Sequence, residues 1–540
     1  MLERFPDITL DLFDTDANPA VRLFGRRFFS DQTTLELLIE LLLVAVSPKK
    51  TCGEKFSNML PPMELLKRSW IDTLDYAPRA HLNLKLFAFF GASKLDSRHE
   101  THRSQLEHLD EELKRRISVN DDTPDNIIKT LENLFLGFHG VGSQRTWCAQ
   151  SFMPISTGML AAETIWNETY ASRNLPDSWN DVISQYTAYF SVNKHRFLAR
   201  GGEVLYLQLC NALRIEKDDV EKWLQEKGLA NFLTADEKNP IWLHTSLGNA
   251  LNDLMQETPA TVSKLAEFID RVVDKETARK TDGDENNLRW SKCGWCPQET
   301  WPESYLFAVE FLRVCRAKMD LMDKIEMLEA LCSMQVMRSL TTQASRYQRV
   351  ATSQTWPACR LAVSDPEGNN KTVKQVSRVT MQAVTKTIYD GLRHPDIFEP
   401  TPGNMREKLY SEADRRYGHK LFITIGKRIG VIVPRRGAGM RFVLTPPLLR
   451  LLIVTLLPGR RLTYDAFKLA AESHFGLAFD EASISRANTW ATGVSTATFG
   501  GVTDEWLIKM LHEAGALRKL SDSCALVENT AAVDHQENIK

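Results

Sequence analysis

Apolar residues recur at every third or fourth position over most of this 540-residue chain, and this spacing restricts the fold more than any other feature. It places the apolar side chains on one face of a helix. The segments with this spacing are 33–46, 97–117, 125–138, 205–212, 220–227, 262–273, 301–337 and 372–392. We therefore expect a mainly α fold with a large helical N-terminal body.

After Gly418 the pattern changes to short runs of β-branched and aromatic residues. Three runs, at 420–425, 428–433 and 440–444, are separated by Gly-Lys and by the glycine-rich segment 434–439. Alternating runs with turn residues between them are typical of neighbouring strands. They predict a small antiparallel β-meander.

The region 445–528 resembles a winged helix-turn-helix. Its predicted elements are helices at 447–457, 464–475 and 503–514 and a hairpin at 516–527. An insertion at 476–501 departs from that pattern and holds a further predicted helix at 480–490. Winged helices bind DNA or dock other proteins, so both roles stay open, as does the identity of any helix that enters a groove.

The predicted organisation follows from these changes in pattern. It comprises a helical N-terminal domain (1–274), a helical middle domain (290–400), a basic β-meander (415–444), a winged-helix-like domain (445–528) and a disordered tail (529–540). The polar segment 275–289 reads as the linker between the first two domains.

The cysteine content and the apolar runs predict a cytoplasmic protein without a membrane partner. Nine cysteines are scattered along the chain, an odd number that suits a reducing compartment. The N-terminus carries acidic residues where a signal peptide would carry basic ones. The two longest apolar runs, 35–46 and 448–457, are shorter than the about 20 residues that a membrane-spanning helix needs.

The formal net charge of −2 conceals a strong segregation of charge. Residues 415–464 contain eleven Lys or Arg and no Asp or Glu, so the other 490 residues hold 56 basic and 69 acidic side chains. A long basic segment is typical of a contact with the nucleic-acid backbone. An acidic region of this chain or of a partner subunit would also suit it. The candidate DNA-binding residues are Lys427, Arg428, Arg435, Arg436, Arg441, Arg460, Arg461, Arg486, Arg518 and Lys519.

Several patterns bear on catalysis. Cys293 and Cys296 form a CxxC, but a zinc site needs four ligands and no second pair of similar spacing is present. Packed thiols are the favoured interpretation, with a structural zinc or a redox pair left open. The histidines at 99, 102 and 108 lie on one charged helix and are expected at the surface. The glycine-rich segment 137–145 lacks the lysine of a P-loop.

The segment 335–347 is the last candidate surface. It places Arg338, Ser345 and Arg346 near one side of a helix, either as a polar contact surface or as a plain amphipathic helix. No nuclease or serine-hydrolase motif stands in a credible context. We therefore assign no catalytic residue, no metal ligand and no cofactor, and we expect that the protein is not an enzyme.

Three segments resemble the accessory proteins of bacterial antiphage defence systems of the Druantia and Zorya types. They are GVGSQRTWCAQSF (140–152), CGWCPQETWPES (293–304) and GKRIGVIVPRRGAGMRFVL (426–444). The resemblance carries no catalytic residues. It implies a DNA-sensing or DNA-loading role beside a helicase, ATPase or nuclease that supplies the chemistry.

These observations predict a non-catalytic, DNA-binding accessory subunit of an antiphage defence complex. The chain would contact the backbone of double-stranded DNA through its basic C-terminal region. One alternative is a scaffold whose winged helix docks a partner subunit. A second is a metal-dependent nuclease with an unrecognised site.

Overall fold

The computed structural model describes most of the chain. The described residues are 2–7, 18–25, 28–30, 32–68, 71–90, 100–118, 122–136, 157–162, 165–191, 201–257, 260–273, 290–348, 356–368, 370–397, 403–457, 459, 461–494, 502–521 and 524–532.

The described residues are mainly helical, as predicted. The helices of the first half are α1 (Pro19–Phe24), α2 (Thr34–Val46), α3 (Met63–Leu66), α4 (Leu82–Phe90), α5 (Glu100–Arg116), α6 (Pro124–Leu136), α7 (Glu168–Arg173), α8 (Trp179–Ser184), α9 (Tyr186–Tyr189), α10 (Gly201–Leu213), α11 (Lys217–Glu226), α12 (Pro240–Gln256) and α13 (Ala260–Arg271). Those of the second half are α14 (Trp301–Arg316), α15 (Leu321–Arg346), α16 (Lys371–Gly391), α17 (Gly403–Glu412), α18 (His419–Arg428), α19 (Pro446–Leu456), α20 (Tyr464–Phe475), α21 (Glu481–Thr492) and α22 (Glu505–Glu513).

The strands are short. They are β1 (Arg4–Phe5), β2 (Lys49–Thr51), β3 (Glu54–Phe56), β4 (Asp75–Tyr76), β5 (Ile165–Trp166), β6 (Phe190–Ser191), β7 (Ser291–Lys292), β8 (Cys296–Pro297), β9 (Leu361–Ser364), β10 (Ile432–Val433), β11 (Arg441–Val443), β12 (Arg461–Thr463), β13 (Leu477–Ala478), β14 (Leu517–Ser521) and β15 (Cys524–Glu528). Most of them pair antiparallel, in sheets of two to four strands.

The main hydrophobic core extends from Phe5 to Val527. At its centre α10 packs against α2 and α14, and α14 packs in turn against α15 and α19. The helix α10 is buried on every side, because apolar residues surround its axis instead of forming a single stripe. One core therefore includes residues from all four predicted domains that precede the tail.

A second core lies within the predicted N-terminal domain. Its buried residues come from α4 to α9 and from α13, with Leu109, Phe135, Val182 and Ile269 among those fully buried. The long helix α5 exposes its charged side and buries Leu109 and Leu113, as the spacing of its apolar residues predicts. Two cores are thus present where the sequence suggested one helical body.

A mixed four-stranded sheet organises the second half of the chain. Its order is β10-β11-β9-β13, with β9 parallel to both β11 and β13 and with β10 antiparallel to β11. The helix α16 packs against β9 and β11, and α21 packs against α16. A small third core that includes Ala362, Val373, Ala478 and Ile484 fills the space between them.

The C-terminal sheet is antiparallel and three-stranded, in the order β12-β15-β14. β14 and β15 form the predicted hairpin, and β12 adds to the far edge of β15 with Leu462 opposite Val527. The helix α22 ends just before this hairpin at Gly515, whose φ of 66° lies in the left-handed region.

The predicted β-meander is wrong in its first strand. Residues 419–428, which include the run predicted as a strand at 420–425, form the helix α18. Leu421, Phe422 and Ile425 are buried at helical spacing, so tertiary packing prevails over the β-branched composition. Gly426 has no side chain, and this lets Ile432 pack directly on the helix. Only the β10–β11 hairpin remains of the meander.

Among the described helices, none is both long enough and apolar enough to cross a membrane. The predicted disordered tail at 529–540 falls mostly outside the described residues, since the description ends at 532. Asn529 is buried, and its side-chain oxygen accepts a hydrogen bond from the Ala531 amide. The first residues of the predicted tail are therefore ordered against the body.

Candidate nucleic-acid interface

The β10–β11 hairpin presents two arginines to solvent. Its connecting turn, 434–440, is exposed along almost its whole length, and it carries Arg435 and Arg436 at its start. Gly437 and Gly439 follow with φ values of 95° and 80°, which side chains other than glycine rarely adopt. In the described part of the chain, neither arginine forms an ion pair, so both guanidinium groups are available to an external anion.

The helix α16 presents a basic face beside that turn. Asn370 caps the helix by accepting a hydrogen bond from the Val373 amide at 3.1 Å. Val373, Val376, Thr380 and Val384 face inward, and the opposite side is exposed. The cations of this helix are Lys371, Lys374, Arg378 and Lys386, of which Lys374 is half-buried and the others are exposed.

Close contacts join this face to the turn. A Cβ atom on Gly439 would lie 3.3 Å from Nε of Arg378, so the turn passes directly beside that arginine. A Cβ atom on Gly368 would meet the Lys374 side chain and lie 3.0 Å from Nη2 of Arg441. The helix and the hairpin thus form one continuous basic surface, which we call the α16–turn surface: Lys371, Lys374, Arg378, Arg435, Arg436 and Arg441.

Arg441 is the anchored member of this surface. Its Nη1 donates to Ser364 Oγ at 2.7 Å and to the Asp365 carbonyl at 3.0 Å, and its Nη2 donates to the Pro366 carbonyl at 3.1 Å. Partial burial lowers its pKa, the charge of Arg378 lowers the pKa further, and Asp365 opposes both effects. An arginine remains a cation under such shifts. Arg441 therefore fixes the loop 364–366 and adds positive charge.

Two carboxylates lie at the edge of the surface. Asp365 accepts a hydrogen bond from the Glu367 amide at 3.0 Å, so both acids belong to the loop that Arg441 anchors. Against six cations they leave a net charge of four positive units on this surface. An excess of this size over a small area attracts polyanions and weakens with salt.

The other predicted DNA-binding residues lie elsewhere and mostly have internal partners. Arg428 donates from Nη1 to the Gln32 carbonyl, and Lys427 beside it is half-buried. Arg486 pairs with Glu472, which also pairs with Arg360. These basic residues were predicted to form one DNA-binding surface, but in the structure they lie apart and contact different partners.

Three more predicted residues belong to the C-terminal sheet. Arg461 lies 3.0 Å from Oε1 of Glu528, and Arg518 lies 3.7 Å from the same atom. Lys519 is exposed on β14, and it has no ion pair among the residues that the structure describes. Arg460 lies outside the described residues. This sheet carries cations, but one shared carboxylate compensates two of them in part.

The eleven Lys and Arg residues of the segment 415–464, which contains no Asp or Glu, do not form a single face. Arg416 lies over the Phe29 ring, and Arg450 on α19 pairs with Asp323 on α15 at 3.1 Å. Instead, the cations that join Arg435 and Arg436 come from α16. The signal for them is a second acid-free run at 368–389, which holds four Lys or Arg and ends at Asp390.

The segment 335–347 does not present the predicted contact surface, because residues 335–344 are buried and Ser345 and Arg346 are half-buried. Arg338 pairs with the fully buried Glu310 at 2.7 Å, and Arg346 pairs with the fully buried Glu303 at 2.6 Å. Residues 335–344 are buried on all sides of α15. The polar residues that suggested a surface are therefore partners of acids in the interior.

The CxxC cysteines are packed in the core. Cys293 and Cys296 are buried and unbridged, and burial raises the pKa of the Cys296 thiol. Burial also raises the pKa of nearby Cys210 to about 12, and it lowers that of Lys49, which lies beside Cys210 and Cys293, to about 7. Within the described ranges, no three His, Cys, Asp or Glu side chains form a group that could hold a metal ion.

The histidine prediction is wrong for His102. Its ring is 2 % exposed and lies between Trp166 and Trp179, with centroid distances of 4.5 and 5.6 Å. His108 is exposed, as predicted. His99 and the glycine-rich segment 137–145 lie outside the described residues.

Comparison with known proteins adds no relative to this description. The chain matches no protein-family model, no curated protein and no solved structure. The geometry of its own residues therefore carries the functional argument.

Proposed function

We propose that this protein binds the sugar-phosphate backbone of double-stranded DNA through the α16–turn surface. The observation that carries the proposal is the meeting of Arg378 with the turn that holds Arg435 and Arg436. Each exposed guanidinium offers a planar pair of donors that matches two phosphate oxygens. The glycines at 437 and 439 keep the turn narrow, so a phosphate can approach its backbone closely.

The length of the basic face suits a duplex. The exposed Lys386 continues this side of α16 beyond the α16–turn surface, and it lies fifteen residues after Lys371, which corresponds to about 22 Å along the helix axis. A single DNA strand places about six phosphates along that length. The cations of α16 and of the turn can therefore contact several successive phosphates, which gives affinity without base specificity.

We also propose that residues 445–528 form a winged-helix-like unit. The support is the order α19, β12, α20, α22, β14 and β15, together with a sheet in which the first strand pairs with the last. The insertion of β13 and α21 departs from that pattern. In this interpretation α22 is the third helix, and its exposed residues include Glu505 and Glu513 beside Lys509. We therefore assign the DNA contact to the α16–turn surface and not to α22.

The composition of α22 favours a second candidate function for this unit, the docking of a partner protein. Its exposed face holds more acid than base, and the adjacent strand β14 exposes 56 % of Leu520. An apolar side chain beside charged ones suits a protein interface. We propose an accessory role in antiphage defence, in which a helicase, ATPase or nuclease partner docks there and supplies the chemistry.

The test is a DNA-binding titration at several salt concentrations. We expect wild-type affinity for a duplex to fall by about 10³ or more between about 50 and 200 mM salt. The variants Arg435→Ala/Arg436→Ala and Lys371→Ala/Arg378→Ala each remove two phosphate contacts. Each should reduce the slope of log K against log salt by about two.

Two control variants make the test specific. Arg103→Ala/Lys129→Ala removes two exposed cations from α5 and α6, the helices that pack on the second core, and this variant should bind as the wild type does. Lys427→Ala/Arg428→Ala should change binding little, because Arg428 already has an internal acceptor. Equal losses in all four variants would indicate a general charge effect and refute the assigned surface. Magnesium-dependent cleavage by the protein alone would favour a nuclease instead.

A further inference from the structure

The structure contains a cavity of about 510 Å³ whose lining is mainly acidic, in contrast to the basic α16–turn surface. It lies between the N-terminal segment, the end of α10, the turn before α14 and the end of α15. Its volume falls within the range of sites for small organic molecules. The cavity shares no lining residue with the α16–turn surface, so a ligand bound there does not depend on the proposed DNA binding.

Asn211 provides a buried acceptor at this cavity. Its side chain is 1 % exposed, and its Nδ2 donates to the Gln298 carbonyl at 2.9 Å, which fixes the orientation of the amide. The amide oxygen Oδ1 has no hydrogen-bond donor among the described residues. A buried acceptor without a donor destabilises the folded protein. A ligand that brings an N–H group into the cavity would remove this penalty.

The charges of the lining favour a cation. Three carboxylates line the cavity, from Glu3, Glu299 and Asp396, against the single guanidinium of Arg214. That guanidinium already donates to Gln298 Oε1 at 3.2 Å and lies 5.2 Å from the centre of the Phe5 ring. The cavity therefore keeps an excess of negative charge.

Aromatic side chains complete the lining. Trp301 and Tyr347 both border the cavity, and Trp301 packs edge-on against Trp223 at 5.6 Å. Aromatic faces attract organic cations through the negative charge of the ring face. Glu299 is held in place by a hydrogen bond from Gln343 Nε2 at 2.6 Å, so the carboxylate is ordered before a ligand arrives.

We propose that this cavity binds a small organic cation that carries two or more N–H groups, such as a polyamine or a guanidino-amine. Asn211 Oδ1 accepts a hydrogen bond from the ligand in the interior of the cavity. Glu299 provides a carboxylate beside Trp301 and Tyr347, and the exposed Glu3 and Asp396 attract the cation at the rim.

The experiment is calorimetric titration of the full chain with spermidine and with agmatine. An uncharged alkanediol and adenosine serve as ligands without positive charge. We expect saturable binding of one cation per chain and no binding of the two neutral molecules. Glu299→Gln keeps the acceptor for Gln343 but removes the charge, and it should weaken binding by about tenfold or more.

Two further variants complete the test. Asn211→Leu removes the buried acceptor and should weaken binding by a similar factor, provided that its melting temperature shows a folded protein. Glu107→Gln removes an exposed carboxylate from α5 and should bind as the wild type does. The proposal is wrong if neither cation binds, if adenosine binds in their place, or if Glu299→Gln and Glu107→Gln bind equally.

Discussion

Three buried polar side chains join the C-terminal region to the helical body. Glu310 on α14 accepts hydrogen bonds from both ends of the Arg338 guanidinium on α15, at 2.9 and 2.7 Å. Nδ1 of His474 on α20 lies 3.3 Å from the same carboxylate. All three residues are nearly or fully buried, so the pairing compensates charges that the core would otherwise exclude.

This cluster makes stability depend on pH through His474. Burial lowers the pKa of His474, Arg338 and Arg313 lower it further, and Glu310 opposes them. Below about pH 6.5 an unfolded histidine binds a proton that the folded one does not, so the free energy of unfolding decreases as the pH is lowered below that value. We expect His474→Asn, which can still donate to Glu310, to lose less stability than the wild type between about pH 7 and about pH 5.5.

The measurement is urea unfolding of both proteins at the two pH values. The difference between wild type and variant is limited to about 1.4 kcal/mol per pH unit, the value for a single proton. His244 and His419, whose pKa values are also lowered mainly by burial, contribute equally to both proteins and cancel. An identical loss of stability in both would refute the role of His474.

At the level of single residues, the sequence predicted part of the candidate site. Arg435 and Arg436 are exposed in a turn, as the glycine-rich pattern indicated. Arg338 and Arg346 were equally polar in sequence, yet they lie inside the fold. A single helix gives no sign of which acid on another helix will face it, because that partner is supplied by tertiary packing.

At the level of elements, helices with a clear apolar stripe were predicted well. α2, α16 and α20 begin and end within one or two residues of their predicted bounds. The strand β9, by contrast, was not predicted, because its strand neighbours come from residues 441–443 and 477–478. The helix α18 was predicted as a strand for a related reason: its buried neighbours are distant in sequence.

Two glycines that end helices allow a matched test of packing against backbone strain. Gly476 after α20 and Gly493 after α21 have nearly equal φ values, 70° and 72°. A Cβ atom at Gly476 would lie 2.1 Å from the Cys359 carbonyl oxygen, whereas nothing lies within 4 Å at Gly493. We expect Gly493→Ala to cost about 1–2 kcal/mol and Gly476→Ala to cost about 1–3 kcal/mol more.

Chemical denaturation of the two variants measures this difference. Both substitutions require the same left-handed conformation, so the backbone cost cancels in the comparison. The difference in the free energy of unfolding between the two variants therefore measures the contact between the end of α20 and the segment that leads into β9. Equal destabilisation would mean that this segment moves aside without cost and that its packing is loose.

At the level of the whole molecule, the two large cores predict two unfolding events. The second core shares no buried residue with the main one, and its members come from 82–190 and 266–272. Leu109→Ala should destabilise it by about 2–5 kcal/mol. Hydrogen exchange in increasing urea should then show earlier opening of α5 and α6 and unchanged protection of α10 and α15.

Leu247→Ala, in the main core, is the counterpart. It should lower the protection of α10 and α12 while α5 retains its own. If either substitution shifts all helices together, the cores unfold as one unit and the prediction fails. The sequence did not separate the cores, because which helix faces meet is decided by tertiary packing and not by composition.

The central position of β9 has a consequence for how the chain can be divided. Its neighbour β11 precedes α19 and α20 in the chain, and its neighbour β13 follows them. The C-terminal region therefore supplies one strand of the sheet that supports α16. A chain ended at residue 444 would leave one edge of β9 open and uncover Ala362 and Val376, a template for aggregation. The C-terminal region is therefore not a separate domain that can be removed without disturbing the rest of the fold. A partner that pulls on it would strain the sheet beneath the basic helix.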